Sequence, residues 1–467
     1  MGIKSFELEP TKENLLETLK NDAIGRNQYI YYFVRFCNAL DNKCSIAIDA
    51  RWGNGKTFFA KQTKMVLDTF NPNINELTDA EKGIIKSIFG NFIDKETGYS
   101  TLKPHVCVYY DAWLNDNDSD PILSLTNEII RSTASDYSFG EEYDLKKILE
   151  LAAPIVTYFT GFNGESLIKL CETKDPLAVI REQKAIHNRI ADFFDSLLPE
   201  NGERLIVFVD ELDRCKPSYA VKLLERIKHY FSNDRITFVF SVNLEELQHT
   251  IKQCYGNDFD ACRYLDRFFD YRLPLPPANM KKYYQSIGMK ETMTYFELVC
   301  QEVVNHFNFS IRETEKYCRI ARLTVGNKID YSGVYTHTMD GFAFQFGLLY
   351  IVPIMIGLLM CDINLYKDFI DGKNCKPMLD ILTSETIRMS SFSRLLSNGE
   401  AYSQNNEGKT VVKLEEKLQA VYEAIFKDTN EYFQEERAVG SLRFSGYTRT
   451  KLLDVVSMLS GISVFEN

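Results

Sequence analysis

Five short apolar segments have the length and residue types of β-strands. They are near-continuous apolar runs, such as LIVFV and ITFVFSV, and this pattern is typical of parallel strands covered on both faces. Segments with helical periodicity lie between them, for example Ala220–Phe231 and Leu244–Gln253. The alternation predicts an α/β fold with a parallel sheet and helices on both faces. The predicted strands are Cys44–Asp49, His105–Tyr110, Arg204–Val209, Ile236–Val242 and Tyr271–Leu275.

The strand pattern fades after the proline-rich segment Pro274–Pro277. Beyond it, Met280–Leu323 and Phe342–Ile381 have mainly helical patterns, the polar segment Ser397–Lys409 predicts a loop, and the last 57 residues again indicate helices. We therefore expect three parts. These are an α/β domain over residues 1–277 with an insertion at about 114–200, a helical lid domain over 278–396 and a C-terminal helical segment over 397–467.

Composition and charge narrow the class of protein. The chain has 467 residues, 45% of them apolar and 25% charged, which is typical of a folded globular protein. Its net charge of −11 argues against a surface that wraps nucleic acid. A basic patch at Arg443–Lys451 leaves a local nucleic-acid contact open, although a solvated helix face is favoured. The 11 cysteines are scattered without metal-ligand spacing, which favours a reduced, cytoplasmic compartment.

Two uncharged segments bear on membrane association. The start of the chain, Met1–Asn21, mixes charges and lacks the apolar core of a secretory signal. Leu151–Phe162 is too short to cross a bilayer as a helix, whereas Gly341–Cys361 reaches the necessary length of about 20 residues. The second segment contains Gln345 and Pro353, and we favour a buried core helix. Contact with the inner face of a membrane is the alternative.

The segment after the first predicted strand has the pattern of a phosphate-binding loop. It reads ARWGNGKT and matches G-x-x-x-x-G-K-[ST], except that Ala50 replaces the first glycine. In such a loop, backbone N–H groups surround the phosphates, and Lys56 would contact the β- and γ-phosphates. The hydroxyl of Thr57 would bind Mg²⁺. Trp52 either covers the phosphates or packs beside the loop. The predicted nucleotide-binding residues here are Trp52, Gly53, Asn54, Gly55, Lys56, Thr57 and Phe58.

Acidic residues follow the third predicted strand, in the sequence LIVFVDELDRC. A carboxylate at the end of a buried strand can hold Mg²⁺ next to a phosphate loop, and we assign Asp210 to this role. We expect Glu211 to be the general base that activates water. Asn243 ends the neighbouring predicted strand. It either orients the same water or forms an ordinary turn.

Three arginines flank the fifth predicted strand: Arg263, Arg267 and Arg272. One of them can act as an arginine finger, either within the chain or from a neighbouring subunit. We select Arg267 for this role and expect the other two to be solvent-facing or ion-paired.

Together these segments resemble the KAP family of P-loop NTPases. The most specific match is VFVDELDRCKP at Val207–Pro217, which is close to the family signature D-[DE]-L-D-R-C-[KR]-P. The loop WGNGKT is similar to the family's tryptophan-containing phosphate loop. The resemblance runs from about Asp22 to Leu323. Its other matching segments are Ile24–Arg26, Tyr110–Trp113, Arg263–Phe268, Leu273–Pro274 and Ser310–Tyr317.

The resemblance implies further properties of this chain. It implies binding of ATP with Mg²⁺, with Gly25 and Arg26 near the adenine base and Arg312 approaching the nucleotide from the helical domain. It also implies a role in bacterial anti-phage defence. We expect the partners to be further copies of this chain, an effector protein, or both. Many relatives carry transmembrane helices in the insertion, where this chain has only the short Leu151–Phe162 segment.

The function predicted from the sequence is an ATP-hydrolysing molecular switch. Two other classes remain open. In the first, a nucleotide-gated scaffold binds ATP, hardly hydrolyses it and controls assembly with an effector. The second is a small-molecule kinase, which ranks last because the sequence shows no acceptor signature. ATP is favoured over GTP only because no guanine-recognition motif is present.

Overall fold

In the computed structural model, the chain folds into two compact units, Met1–Ile287 and Gly288–Asn467. The division falls after Ile287, and the three predicted domains with their boundaries stay a prediction. Leu151–Phe162 and most of the predicted insertion lie outside the residues that the structure describes. The described residues are 9–98, 100–118, 120–136, 198, 202–231, 233–288, 295–325, 339–388, 396, 403–404, 410–411, 414–427 and 436–462.

A five-stranded parallel sheet forms the centre of the first unit, and it confirms the predicted α/β fold. The strand order is β2-β3-β4-β1-β5. Each predicted strand is present, with ends that differ by no more than one residue. The strands are Cys44–Asp49 (β1), His105–Asp111 (β2), Arg204–Asp210 (β3), Ile236–Val242 (β4) and Tyr271–Pro274 (β5).

The helices of the first unit begin at recognisable sequence signals. Thr78 and Glu81 form a capping box at the start of α4. Pro217 begins α6, three residues before the predicted start, where its fixed φ angle suits a helix. The described helices are Lys12–Lys20 (α1), Asn27–Asn38 (α2), Lys56–Thr69 (α3), Asp79–Ile88 (α4), Pro121–Asp136 (α5), Pro217–Tyr230 (α6), Leu244–Tyr255 (α7), Ala261–Leu265 (α8) and Met280–Ser286 (α9).

The register of the sheet brings the carboxyl ends of its strands together. All residues of β3 and β4 are buried, because helices cover both faces of the sheet. Asp111 pairs with Asp210 across β2 and β3, and Asp210 pairs with Ser241 across β3 and β4. Asp49, at the end of β1, pairs with Val242. The segments that follow β1, β3 and β4 therefore start side by side at the carboxyl ends of the strands.

Gly25 has a backbone conformation that other residues rarely adopt. Its φ angle is +73°, and a Cβ atom built on it would lie 2.5 Å from Cβ of Asn279. We expect Gly25→Ala to lower the free energy of unfolding by about 2 kcal/mol, because the left-handed conformation alone costs about 1–2 kcal/mol. Urea unfolding followed by tryptophan fluorescence measures this effect in the first unit, which contains both tryptophans, Trp52 and Trp113.

Gly83 provides a control of opposite sign. It lies inside α4, and a Cβ atom there would have no atom of the described residues within 4 Å. Gly83→Ala should leave stability unchanged or raise it by up to about 1 kcal/mol, because alanine favours the helix. Equal effects of the two substitutions would contradict the conformational argument for Gly25.

The second unit is mainly helical, as the sequence predicts for Met280–Leu323 and Phe342–Ile381. A π-helix over Gly347–Ile351 joins two of its α-helices. The described α-helices are Tyr295–Phe307 (α10), Ile311–Val325 (α11), Met339–Phe346 (α12), Val352–Cys361 (α13), Ile363–Ile370 (α14), Lys376–Leu382 (α15), Glu385–Arg388 (α16), Leu414–Phe426 (α17) and Gly446–Ile462 (α18).

Two short antiparallel strand pairs correct the prediction for the C-terminal region. A hairpin with Gly440 in its turn, at φ 61°, interrupts the segment that we expected to be wholly helical. Its strands alternate buried and less buried positions, which is the pattern of a half-buried hairpin. The first pair includes residues of the predicted loop. The strands are Ser403–Gln404 (β6), Thr410–Val411 (β7), Arg437–Val439 (β8) and Leu442–Phe444 (β9).

One apolar helical stretch of the second unit is long enough to cross a membrane. Within the described residues, Phe342–Cys361 is the single stretch with the necessary length and composition, and 72% of its most apolar window is buried. Met355 is fully buried, and Gly357 approaches Val303 of α10 so closely that a Cβ atom would lie 2.5 Å from its side chain. This stretch packs against other helices of its own unit.

Candidate nucleotide-binding site

The predicted phosphate loop connects β1 directly to α3. Gly53 and Gly55 both have φ 78°, so the turn uses glycine at two positions where other residues would be strained. The N–H groups of Gly53, Gly55 and Lys56 form no backbone hydrogen bond with any described residue. The first N–H groups of α3 also lie at the positive end of a helix. This loop therefore offers several N–H donors to a bound anion.

Lys56 lies across this loop and is buried, with 8% of its surface exposed. Its Nζ donates a hydrogen bond to the carbonyl oxygen of Ala50 at 2.6 Å. Burial lowers the pKa of Lys56, and the carboxylates of Asp213 and Asp210 oppose that shift. A phosphate beside this ammonium would supply the compensating negative charge.

Asp210 and Thr57, the two predicted metal ligands, lie close together. The Asp210 carboxylate is buried and accepts a hydrogen bond from the hydroxyl of Tyr109 at 2.8 Å. Burial raises the pKa of Asp210, and the nearby hydroxyls of Thr57 and Tyr109 oppose the shift. Carboxylate and hydroxyl oxygens are ligands that Mg²⁺ prefers, with its other ligands taken from phosphates and water. The donor set therefore fits Mg²⁺, although within the described ranges no three or more His, Cys, Asp or Glu residues cluster as metal ligands.

Glu211 is held in a strained backbone conformation next to Asp210. Its φ and ψ angles are 60° and 23°, a left-handed conformation that is uncommon for residues other than glycine. Its Oε2 lies 2.5 Å from Nε of Arg214. Burial and the neighbouring Asp210 raise the pKa of Glu211 to about 7, while Arg214 opposes the shift. A carboxylate with this pKa can exchange a proton near neutral pH.

The guanidinium group of Arg214 lies near the rings of both tryptophans of the chain. The guanidinium carbon lies 5.8 Å from the ring centroid of Trp52 and 5.5 Å from that of Trp113. The indole Nε1 of Trp52 donates a hydrogen bond to Oδ2 of Asp213 at 2.5 Å, while Oδ1 of Asp213 is buried and has no hydrogen-bond partner among the residues that the structure describes. Trp52 therefore links the phosphate loop to the segment that follows β3. Its indole remains 43% exposed, so its fluorescence can report on the site.

Arg26 connects the start of α2 to the phosphate loop. Its Nη1 donates to the carbonyl oxygen of Asn54 at 2.8 Å, and its Nε donates to that of Pro276 at 2.9 Å. Burial lowers the pKa of Arg26 to about 10. Gly25 packs against Asn279 beside it. The structure thus brings Arg26 into contact with the loop, with Gly25 next to it in the chain, and the predicted approach of both residues to an adenine base stays a prediction.

Asn243 lies at the end of β4, next to the acidic end of β3. Its Oδ1 accepts hydrogen bonds from the N–H groups of Glu245 and Glu246, so the side chain caps α7. The NH₂ group of this amide is the donor end of the side chain. The structure shows Asn243 as the capping residue of this turn, and its predicted role in orienting water stays a prediction.

Arg267 lies near the amino ends of the strands, whereas the phosphate loop of its own chain follows their carboxyl ends. It precedes β5, and the N–H of nearby Asp270 donates to the carbonyl of Ser45 at the start of β1. The six residues of β1 separate that end of the sheet from the loop by about 20 Å. Arg267 is exposed, and no carboxylate of the described residues forms an ion pair with it. Its two neighbours are ion-paired: Arg263 with Asp260, and Arg272 with Asp266.

Two other predicted residues contribute differently. The side chain of Phe58 is buried, so its contribution to a phosphate site would be its N–H. Arg312 lies exposed in the first turn of α11, in the second unit, and its contact with a nucleotide stays a prediction. Sequence reasoning missed Tyr109, whose hydroxyl binds Asp210. No motif marks Tyr109, because its role depends on the pairing of β2 with β3.

Comparison with known proteins identifies the family. The model of the KAP family P-loop domain matches residues 26–298. The chain belongs to the KAP family. Its first unit is therefore a nucleotide-binding P-loop NTPase domain, and Arg312 lies beyond the matched residues.

Two more distant similarities add no functional argument. An uncharacterized protein of Methanocaldococcus jannaschii is 35% identical over 57 residues, which cover 11% of this KAP protein and 29% of the relative. The chain therefore matches less than a third of that relative's length. The solved structure of the Aeropyrum pernix ORC2 protein in ADPNP-ADP complexes aligns over 94% of this chain and 85% of that one. Its TM-score is 0.30 and its sequence identity 13%.

Proposed function

We propose that this KAP protein binds and hydrolyses ATP with Mg²⁺ and acts as a molecular switch. The observation that supports the proposal is the meeting of two segments at one edge of the sheet. Lys56 and Thr57 begin the helix after β1, Asp210 ends β3 with Glu211 directly after it, and the Thr57 hydroxyl lies near the Asp210 carboxylate. Release of inorganic phosphate from ATP and from GTP, each with and without Mg²⁺, tests it. Turnover of neither nucleotide would contradict the hydrolysis.

In this proposal each residue has a defined task. The loop N–H groups and Lys56 bind the phosphates and stabilise negative charge that develops on them. Glu211 accepts the proton of the attacking water, and the NH₂ group of Asn243 orients that water. Thr57 and Asp210 would hold Mg²⁺, which supplies charge neutralisation at the phosphates when bound. Loss of the γ-phosphate would release these contacts and change the conformation of the protein.

A second candidate function has its own support in the structure. Arg214 forms an ion pair with the Glu211 carboxylate at 2.5 Å. In the hydrolysis proposal, this same carboxylate must accept a proton from water. If Arg214 keeps Glu211 in this position with nucleotide bound, the protein is a nucleotide-gated scaffold with little hydrolysis. Single-turnover kinetics on the purified protein separate the two functions. A cycle that lasts hours favours the scaffold, and a cycle of seconds to minutes favours the switch.

The proposed base predicts a dependence of hydrolysis on pH. Glu211 must be ionised to accept a proton, and its pKa is raised to about 7. The value of kcat/KM should therefore rise with pH up to about 7 and then level off, falling about tenfold for each pH unit below that value. Steady-state rates between about pH 5.5 and 8.5 measure this profile. A flat profile across this range would exclude Glu211 as the titrating base.

The position of Arg267 predicts that a neighbouring subunit completes the site. Arg267 cannot reach the phosphate loop of its own chain across the sheet. We expect Arg267→Ala to lower kcat by about 1000-fold, the effect of losing an arginine finger, without preventing nucleotide binding. Mixing it with a Lys56→Ala variant should restore part of the activity, because some interfaces then combine an intact loop with an intact arginine.

Arg263 is the matched control for this prediction. It is exposed, lies four residues before Arg267 and pairs with Asp260. Arg263→Ala should leave kcat within about twofold, since an exposed ion pair contributes little. If Arg267→Ala and Arg263→Ala have the same rate, Arg267 is not the finger.

The remaining parts of the proposal depend on the family resemblance. They are an effector partner, action at the cytoplasmic side of the cell and a role in anti-phage defence. Infection of cells that carry the intact gene or its Lys56→Ala form tests the last of these. Equal phage yields in both would contradict a defence role.

A further inference from the structure

A cavity lies in the first unit, and none of its lining residues belongs to the phosphate loop. It has a volume of about 360 Å³, between α1, α3, α5 and β2. This size lies in the range of small-molecule sites. Its lining includes Lys61, Lys64, Tyr109, Glu128, Arg131 and Asp136.

The charged groups of this cavity are paired, with one exception. Lys64 contacts three carboxylates, those of Asp68, Glu76 and Asp136. Arg131 pairs with Glu128 at 2.5 Å. Lys61 forms no ion pair with the described residues.

Lys61 is held instead by an aromatic ring. Its Nζ lies 4.5 Å from the ring centroid of Tyr109, and the side chain is partly buried. Burial lowers the pKa of Lys61, while Asp210 and Asp111 oppose the shift. An ammonium that is partly buried without a carboxylate provides a site for an acidic group.

The same lysine lies between the cavity and the predicted metal site. Thr57, Lys61 and Lys64 follow each other at spacings of four and three residues, so they share one face of α3. Lys61 is therefore roughly 6 Å along the helix axis from Thr57. The ring of Tyr109 contacts the ammonium of Lys61, and its hydroxyl donates a hydrogen bond to Asp210. A chain of contacts thus joins the cavity to Asp210.

We propose that this cavity binds a small molecule with an acidic group, carboxylate or phosphate, and that Lys61 contacts that group. Binding there adds negative charge near Asp210 and moves the ammonium away from it. Both changes favour a cation at Asp210, so occupancy of the cavity raises the affinity of the nucleotide site for Mg²⁺. This coupling rests on the proposed function, whereas binding of the anion does not.

Calorimetry on the full chain tests the binding, with succinate as the carboxylate probe and inorganic phosphate as the phosphate probe. We expect at least one of them to bind and Lys61→Met to weaken that binding about tenfold or more, the effect of losing a charge-assisted hydrogen bond. Lys56→Met is the matched control, because it removes the ammonium of the phosphate loop. Binding that survives Lys56→Met and is lost in Lys61→Met supports the cavity.

Three results would overturn the proposal. They are no binding of either probe, equal binding by wild-type protein and Lys61→Met, and loss of binding only in Lys56→Met. The two probes also distinguish the ligand, since preference for succinate or phosphate shows which acidic group the cavity selects. A protein that binds a nucleotide but neither probe refutes this inference alone. A protein that binds a probe but no nucleotide refutes the proposed function alone.

The coupling has a separate test. The Mg²⁺ concentration for half-maximal ATP binding should fall about fivefold when the probe saturates the cavity, a typical size for linked sites. Lys61→Met removes the ammonium that binds the probe and should abolish most of this shift, whereas Tyr109→Phe keeps the ring beside Lys61 and both charge changes and should leave most of the shift in place. An unchanged or raised Mg²⁺ requirement in the wild-type protein overturns the coupling.

Discussion

Replacing Glu211 with glutamine is expected to lower kcat for ATP hydrolysis by about 100- to 1000-fold, because a positioned general base contributes about 10²- to 10⁴-fold. Glutamine keeps the shape of the side chain but cannot accept the proton of water at neutral pH. The loop residues and Asp210 are unchanged, so ATP should still bind. Single-turnover hydrolysis and equilibrium binding, measured on the same preparation, separate the two effects.

Glu245 is the control for this substitution. It is an exposed glutamate in the first turn of α7, near the same edge of the sheet. Glu245→Gln removes a carboxylate there without touching the Glu211–Arg214 pair and should keep kcat within about twofold, since exposed charges at helix ends have small effects. Hydrolysis by Glu211→Gln at the wild-type rate would show that Glu211 is not the base.

The second large effect is expected from Lys56→Ala, which should weaken ATP binding by about 100-fold or more. Two charge-assisted hydrogen bonds to phosphates, each contributing about 1.5–3 kcal/mol, account for a loss of this size. The variant also removes a buried ammonium that lies near Asp210 and Asp213. Repulsion between these carboxylates and the phosphates then opposes binding further.

Tryptophan fluorescence makes this loss measurable. A Trp113→Phe background leaves Trp52, inside the phosphate loop, as the single tryptophan. Lys43→Ala is the control, since Lys43 is exposed and precedes β1 at the opposite edge of the sheet. Equal ATP affinity in the Lys56 and Lys43 variants would contradict the assignment of the loop.

The sheet was predictable because its strands have a strong local signal. Near-continuous apolar runs such as Arg204–Asp210 are buried on both faces, so their ends follow from the change to polar residues. The order of the strands has no such signal, because it depends on contacts between distant segments. The hairpin at Arg437–Phe444 was missed for a related reason. Its three-residue strands are too short for alternation to be recognised.

The functional residues of the site could be predicted where they are adjacent in the sequence. Lys56 with Thr57, and Asp210 with Glu211, each belong to one short motif. Contacts between motifs were not predictable. Trp52 and Asp213 are 161 positions apart, and the hydrogen bond between them exists only because β1 and β3 end at one edge of the sheet.

The ion pair between Glu211 and Arg214 could not be predicted from the motif either. The signature places an arginine three positions after the glutamate, but it does not show which group that arginine contacts. Glu211 forms this pair from a left-handed backbone conformation, and such strain has no sequence signal at a residue other than glycine.

Calorimetric titration of the full chain with ATP in the presence of Mg²⁺, repeated with GTP, tests nucleotide binding at the phosphate loop. We expect a saturable heat with one nucleotide per chain, and the affinity should fall when Mg²⁺ is removed and by about 100-fold or more in Lys56→Ala. No heat of association with either nucleotide, or equal binding by the wild-type protein and Lys56→Ala, would contradict it.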